Sequence, residues 1–153
     1  MRRLLGYSGL LALGIFGAMA PAHTQVPERY AALVEDYDGG YRAFSSANQP
    51  TPEAARDEAL RQCGKGSCEL VLVFGGAGCG SFHSAGPEGA FGWAVKEKLA
   101  EARSESLALC REEIQGSEVC SNSVSICNTQ GGGQAQAIFS LNDVTDQDED
   151  GWF

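Results

Sequence analysis

The sequence predicts an α+β domain made of two tandem strand-strand-helix-strand repeats, with antiparallel sheet, two packed helices and stabilising disulfides. Three observations lead to this class. A nine-residue pattern, A-R-x-E-A/S-L-x-x-C, occurs at residues 55–63 and again at residues 102–110. Short apolar runs bounded by turn residues precede and follow each copy, as expected for strands. Six cysteines lie in the same region, which is typical of disulfide-stabilised exported domains.

The first repeat begins with two strands, at residues 30–36 and 41–46, joined by the turn sequence Asp-Gly-Gly. A helix follows, because Thr51 is a good N-cap residue and the next residue is a proline, which suits the first helical position. Gly64 is expected to end this helix in the left-handed conformation. A Val- and Leu-rich run at residues 68–74 then predicts a buried strand.

The second repeat has the same order. Strands are predicted at residues 79–84 and 90–95, a helix from about residue 99 to residue 113, and a closing strand at 119–127. The following segment differs in composition: it is rich in Gly and Gln up to residue 136, which predicts a mobile linker before one edge strand at 137–141. The chain is therefore predicted to contain a signal peptide (1–22), a duplicated domain (29–128, with repeat one at 29–75 and repeat two at 79–128), and a linker with an acidic tail (129–153).

Residues 1–22 resemble a secretory signal peptide. Arg2 and Arg3 precede an apolar run, and small residues before position 23 provide a cleavage site. An uncleaved anchor is the alternative, but the run is short for a bilayer span of about 20 residues. The sequence therefore predicts a secreted or periplasmic protein with no membrane span after cleavage.

The charge of the chain limits its partners. Cleavage of the predicted signal peptide removes Arg2 and Arg3. The mature chain then has nine Lys plus Arg and 20 Asp plus Glu, a formal charge of −11. An acidic surface repels phosphate backbones, so nucleic acid is excluded as a partner. The expected partner is an unknown protein or an envelope component.

Alignment of the two repeats sorts the cysteines. Helix-end Cys63 corresponds to Cys110, and Cys68 corresponds to Cys120, so each repeat is predicted to hold a local disulfide between these positions. The two unmatched cysteines are then left to pair with each other, as Cys79–Cys127. Six cysteines allow 15 pairings, and the repeat symmetry selects this one. A zinc site is the alternative, but the spacings are looser than those of zinc knuckles.

These features together resemble a bacterial family, the domain of unknown function 4189. The resemblance is carried by the Tyr30–Asp36 strand, the Gly-Ala-Phe-Gly-Trp-Ala segment at 89–94, the two nine-residue helix motifs and the paired cysteines. It implies a small, exported, duplicated protein and provides no catalytic residues. The first repeat departs from the pattern because it lacks the Gly-Trp pair found at 92–93.

His83 is the residue most suited to catalysis, because Ser81 and Ser84 lie beside it and suggest a hydrolase. The nucleophile motif G-x-S-x-G is absent, however, and Cys79 is expected to be oxidised. The alternative interpretation is a surface histidine with no catalytic role.

The acidic tail contains a partial calcium loop. Asp146, Asp148 and Asp150 alternate and a glycine follows, as in the first half of an EF-hand loop, but the chain ends before the bidentate Glu of position twelve. Weak calcium binding is therefore a hypothesis, and no other cofactor is predicted.

The second strands of the two hairpins each contain two aromatic residues: Tyr41 and Phe44 in the first, Phe91 and Trp93 in the second. They are interpreted either as core residues or as an exposed recognition face. With no convergent catalytic set, the sequence favours a non-enzymatic exported binding or interaction module. The alternatives are a hydrolase using His83 and a weak calcium-binding protein.

Overall fold

A computed structural model describes residues 26–36, 38, 42–64, 66–86 and 89–140. The α+β class and the strand-strand-helix-strand order are confirmed. The elements in these ranges are β1 (Tyr30–Asp36), β2 (Arg42–Gln49), α1 (Pro52–Cys63), β3 (Cys68–Gly75), β4 (Gly78–Ser84), β5 (Phe91–Lys96), α2 (Leu99–Glu113), β6 (Asn122–Asn128) and β7 (Gln136–Ser140).

The strands form two antiparallel sheets, in the orders β2-β1-β3-β7 and β5-β4-β6. In each repeat the first strand is central, with its hairpin partner on one side and the strand that follows the helix on the other. The repeated sequence therefore corresponds to a repeated topology. The strand β7 extends the first sheet by pairing with the outer edge of β3.

The two sheets lie face to face between the two helices, which gives four layers. One cluster lies between α1 and the first sheet: Ala32, Val34, Ala55, Ala59, Cys63 and Val73. A second lies between the sheets: Ala31, Leu33, Val71, Leu72, Phe74 and Phe82. Neighbouring residues of β1 belong to different clusters because side chains alternate across a strand. The predicted antiparallel sheet is thus divided in two, and each helix covers its own half.

The ends of α1 follow the predicted capping residues. Thr51 Oγ1 accepts a hydrogen bond from the Ala54 amide at 3.1 Å, and Gly64 is left-handed with φ 69°. The closing strand β6 begins at Asn122, later than predicted. The residues before it are held near the end of α2 by Cys120, and Val119 is 67% exposed.

Three disulfides join the predicted partners: Cys63–Cys68, Cys110–Cys120 and Cys79–Cys127. The first two connect each helix end to the chain that follows it. The third joins residues directly opposite each other on β4 and β6. The second sheet is therefore covalently closed at the end where β4 begins.

Two asparagines connect the repeats. The buried Asn128 side chain donates to the Arg29 and Gly76 carbonyls, at 3.0 and 3.2 Å, and accepts from the Asn48 amide at 2.9 Å. Asn48, with φ 58°, in turn accepts from the amides of the two residues that follow Asn128. The Gly- and Gln-rich segment is also fixed to this junction, because the Gly133 carbonyl accepts a hydrogen bond from the Ala77 amide, just before β4.

Gly92 allows α2 to approach β5 closely. A Cβ atom at this position would collide with the Cys110 amide nitrogen and the Ser106 carbonyl oxygen. We expect Gly92→Ala to lower the free energy of unfolding by about 1–3 kcal/mol, the usual effect of overpacking. Denaturant titration measures this loss. Gly66→Ala is the matched control, because a Cβ there meets nothing within 4 Å. Equal stability of the two variants would contradict the close packing of α2.

Candidate functional site

The second repeat carries polar residues where the first repeat carries an apolar core. In the first repeat, the helix and central strand meet through Ala32, Val34 and Ala59. Strand register and the nine-residue motif give the equivalent residues of the second repeat as Ser81, His83 and Ser106. The interface between α2 and its sheet has therefore diverged from that of α1.

These side chains form a continuous serine–histidine network. His83 Nδ1 lies 2.8 Å from Ser106 Oγ, which lies 3.0 Å from Ser81 Oγ. Ser81 Oγ is in turn 3.0 Å from Ser125 Oγ on β6. Arg103 closes the network from α2, because its Nε donates to Ser125 Oγ at 3.2 Å. The network fixes the imidazole against the helix.

The surroundings of His83 disfavour its charged form. Partial burial lowers the pKa of the imidazole, and the positive charges of Arg103 and Arg111 lower it further. Among the described residues, no carboxylate hydrogen-bonds to this ring. The arrangement therefore lacks the acidic partner that orients the histidine of a serine hydrolase triad.

Access also limits nucleophilic chemistry in this network. The Ser106 and Ser81 side chains are fully buried, so a substrate cannot reach either hydroxyl without movement of α2. Ser84, the other predicted neighbour of His83, faces the first sheet. Cys79 is held in a disulfide. Sequence inspection missed Ser106, although the Ala-to-Ser difference between the two nine-residue motifs marks its position.

A buried carboxyl group lies between the sheets. Glu35 is 2% exposed, and Ser84 Oγ donates to its Oε1 at 3.4 Å. Its Oε2 is buried without a hydrogen-bond partner in the described part of the chain. Burial raises the pKa of this carboxyl group, and the hydrogen bond from Ser84 partly opposes that rise.

A cleft of about 530 Å³ opens beside the start of β4, the end of β6 and the Gly- and Gln-rich segment. Its lining residues are Ala77, Gly78, Cys79, Glu97, Cys127, Asn128, Thr129, Gly133 and Gln134. The Cys79–Cys127 disulfide joins two of its walls. Glu97, Thr129 and Gln134 bring a carboxylate, a hydroxyl and an amide to a lining that contains no Lys or Arg. The cleft suits a polar or cationic group better than an anion.

The sequence model of one family matches residues 30–127, which is most of the chain. That family is described as a domain of unknown function, DUF4189. The protein belongs to the DUF4189 family. No curated protein and no solved structure matches the chain. The matched region contains both repeats and stops before the segment that leads to β7.

In this DUF4189 protein, three of the four aromatic residues interpreted as core or recognition residues pack against apolar clusters. Phe44 packs beside the cluster under α1, and Phe91 and Trp93 pack against the cluster between the sheets. All three are half-buried. The ring centroids of Phe82 and Phe91 are 6.1 Å apart. Tyr41 lies outside the described residues, so its predicted role stays a prediction.

The predicted calcium ligands Asp146, Asp148 and Asp150 also lie outside the described residues. Within residues 26–140, apart from the short gaps, no group of three or more His, Cys, Asp or Glu side chains is arranged to hold a metal ion. In the same part of the chain, neither helix is long and apolar enough to cross a membrane.

The buried carboxyl group makes stability depend on pH. Because the pKa of Glu35 is raised above its ordinary value of 4.5, the unfolded chain ionises first as the pH rises. Its stabilising contribution is therefore complete below pH 4.5 and is lost as the pH rises through the folded-state pKa. We expect Glu35→Gln to remove the decrease in the free energy of unfolding that this carboxyl group causes as the pH rises. Denaturant titration between pH 4 and pH 8 measures this decrease.

Glu69→Gln provides the control for that experiment. Glu69 is exposed and lies opposite Glu35 on the neighbouring strand β3. The control should keep the pH dependence of the unsubstituted protein. Identical pH profiles for the unsubstituted protein and Glu35→Gln would show that the carboxyl group is not shifted by burial.

Proposed function

We propose that this DUF4189 protein is an exported, non-enzymatic binding module that takes a polar or cationic group of its partner into the cleft formed by the second repeat and its flanking segments. The observation that carries the proposal is the cleft itself, about 530 Å³ in volume and lined by the residues just before β4, by the second repeat and by the Gly- and Gln-rich segment. Binding sites are typically concave, with a few polar groups among apolar ones. The buried Ser81 and Ser106 hydroxyl groups of the serine–histidine network offer no comparable opening.

The construction of the cleft supports binding in a preformed site. The Cys79–Cys127 disulfide links β4 to β6 on one side. Asn128 fixes the adjoining backbone through three hydrogen bonds. Walls that are already ordered lose little conformational entropy when a partner binds. The exposed Glu97 carboxylate supplies the charge that would attract a cationic group.

Three disulfides support a location outside the cytoplasm, since such bonds persist in oxidising compartments. The predicted signal peptide agrees with this location. We therefore infer that the partner is a secreted or periplasmic protein or an envelope component. The hydrolase and calcium hypotheses have less support, because the buried Ser106 opposes the first and the tail residues of the second are outside the described chain.

A blocking substitution in the cleft tests the proposal. We expect Glu97→Arg to reduce retention of a partner at least tenfold, because it reverses the one charge of the lining and adds bulk. Retention is measured by capture from culture fluid and envelope extracts on immobilised protein, followed by quantitative mass spectrometry. Glu112→Arg makes the same charge change at an exposed position on α2, away from the cleft, and should keep full retention.

Two results would contradict the binding function. The first is that the unsubstituted protein retains nothing beyond a blank matrix. The second is that both arginine variants retain the same partners as strongly as the unsubstituted protein, which would exclude the cleft. Thermal unfolding of each variant shows whether a lost partner reflects the site or the fold.

A further inference from the structure

Charges on α2 are separated around the helix. At about 100° per residue, Glu101, Glu105 and Glu112 fall within about 40° of one another. This acidic edge faces β5, since the Glu105 carboxylate pairs with Lys96 Nζ of that strand at 2.6 Å. Glu113, in the last turn, lies between this edge and the sheet. The acids of α2 are thus directed away from β6.

The opposite edge of α2 is basic. Arg103 and Arg111 are eight residues apart, which places them about 12 Å apart along the helix axis and about 80° apart around it. Arg103 reaches β6 directly through Ser125. The strand β6 carries no charged residue, and its Ser123 and Ser125 line the same edge. Glu118, in the loop after α2, accepts a hydrogen bond from the Ala90 amide instead.

His83 lies beneath this basic edge. Its Nδ1 is engaged by the buried Ser106, so the ring is fixed by one nitrogen and is half-buried. Both arginines are close enough to lower its pKa. Neither arginine forms an ion pair in the described part of the chain. Three groups that can carry positive charge therefore lie at or beneath this edge of α2, in a chain whose formal net charge is −9.

The first repeat provides an internal comparison. Arg56, the equivalent of Arg103, forms an ion pair with its neighbour Asp57 at 2.8 Å. Val34 replaces the histidine, and the position of Arg111 corresponds to Gly64, where α1 has already ended. This set of cationic groups is therefore specific to the second repeat, so it is not a by-product of the shared fold.

We propose that the basic edge of α2, where it borders β6, binds a small oxyanion, a carboxylate or a phosphate, through Arg103, Arg111 and His83. A guanidinium presents a planar set of donors that matches the oxygens of either group. His83 Nε2, the ring nitrogen that Ser106 does not engage, is a further donor when it carries a proton. This site is separate from the cleft, whose lining has no cationic side chain.

Titration of the full chain with sodium phosphate, and separately with sodium acetate, tests the site. Sodium chloride keeps the ionic strength constant, and two-dimensional NMR follows the His83 ring and the backbone amides. We expect saturable shifts at His83, Arg103 and Ser123 with at least one of the two anions. Arg111→Gln should weaken that response about tenfold or more, as expected for the loss of a charge-assisted contact.

Arg42→Gln is the matched control, because Arg42 is an exposed arginine of the first repeat. It should leave the affinity unchanged. The proposal is overturned if neither anion gives saturable shifts at His83, Arg103 and Ser123, or if both variants weaken binding equally. Arg111 is exposed and makes no hydrogen bond in the described residues, and a thermal melt confirms that its variant is folded. The anion that binds more tightly identifies the ligand chemistry.

Discussion

Burial of β1 and β3 on both faces is the constraint on which the rest of the structure depends. Leu33 and Phe74 need a cover on one side, while Val34 and Val73 need a cover on the other. A single helix satisfies only one face. The second sheet therefore has to lie against the first, and Gly80 permits this close packing, since a Cβ there would collide with the Phe74 ring. Duplication of the repeat supplies the missing cover.

The two repeats share a topology but differ in what they bury beneath their helices. An apolar cluster lies beneath α1, whereas α2 adds a hydrogen-bonded serine and an imidazole to its buried Ala102 and Cys110. A buried polar contact is stabilising only when its groups are satisfied, so it constrains α2 more narrowly in position than an apolar contact would. The two repeats thus share a backbone topology and differ in the chemistry beneath their helices.

Local features were predictable from the sequence, and the contacts between repeats were not. Thr51 and Gly64 fix the ends of α1 through their own backbone geometry, and the cysteine pairs follow from the alignment of the repeats. The continuous apolar sequence of β3 indicates that both faces of this strand are covered, but it does not show which elements cover them. His83 contacts Ser106 because side chains alternate along β4 and because α2 packs over that face of the sheet. The cleft depends on a glycine-rich segment whose sequence has no helix or strand periodicity.

The last strand sets the useful limits of the domain. The family match stops at residue 127, yet Leu72 to Gly75 pair with β7, which begins at Gln136. A fragment trimmed to the match would also lose the Asn128 side chain. It would expose a row of unpaired amides and carbonyls along the edge of an apolar strand. Such edges pair with the edge strands of other molecules and lead to aggregation. An expression boundary for this protein therefore belongs beyond Ser140.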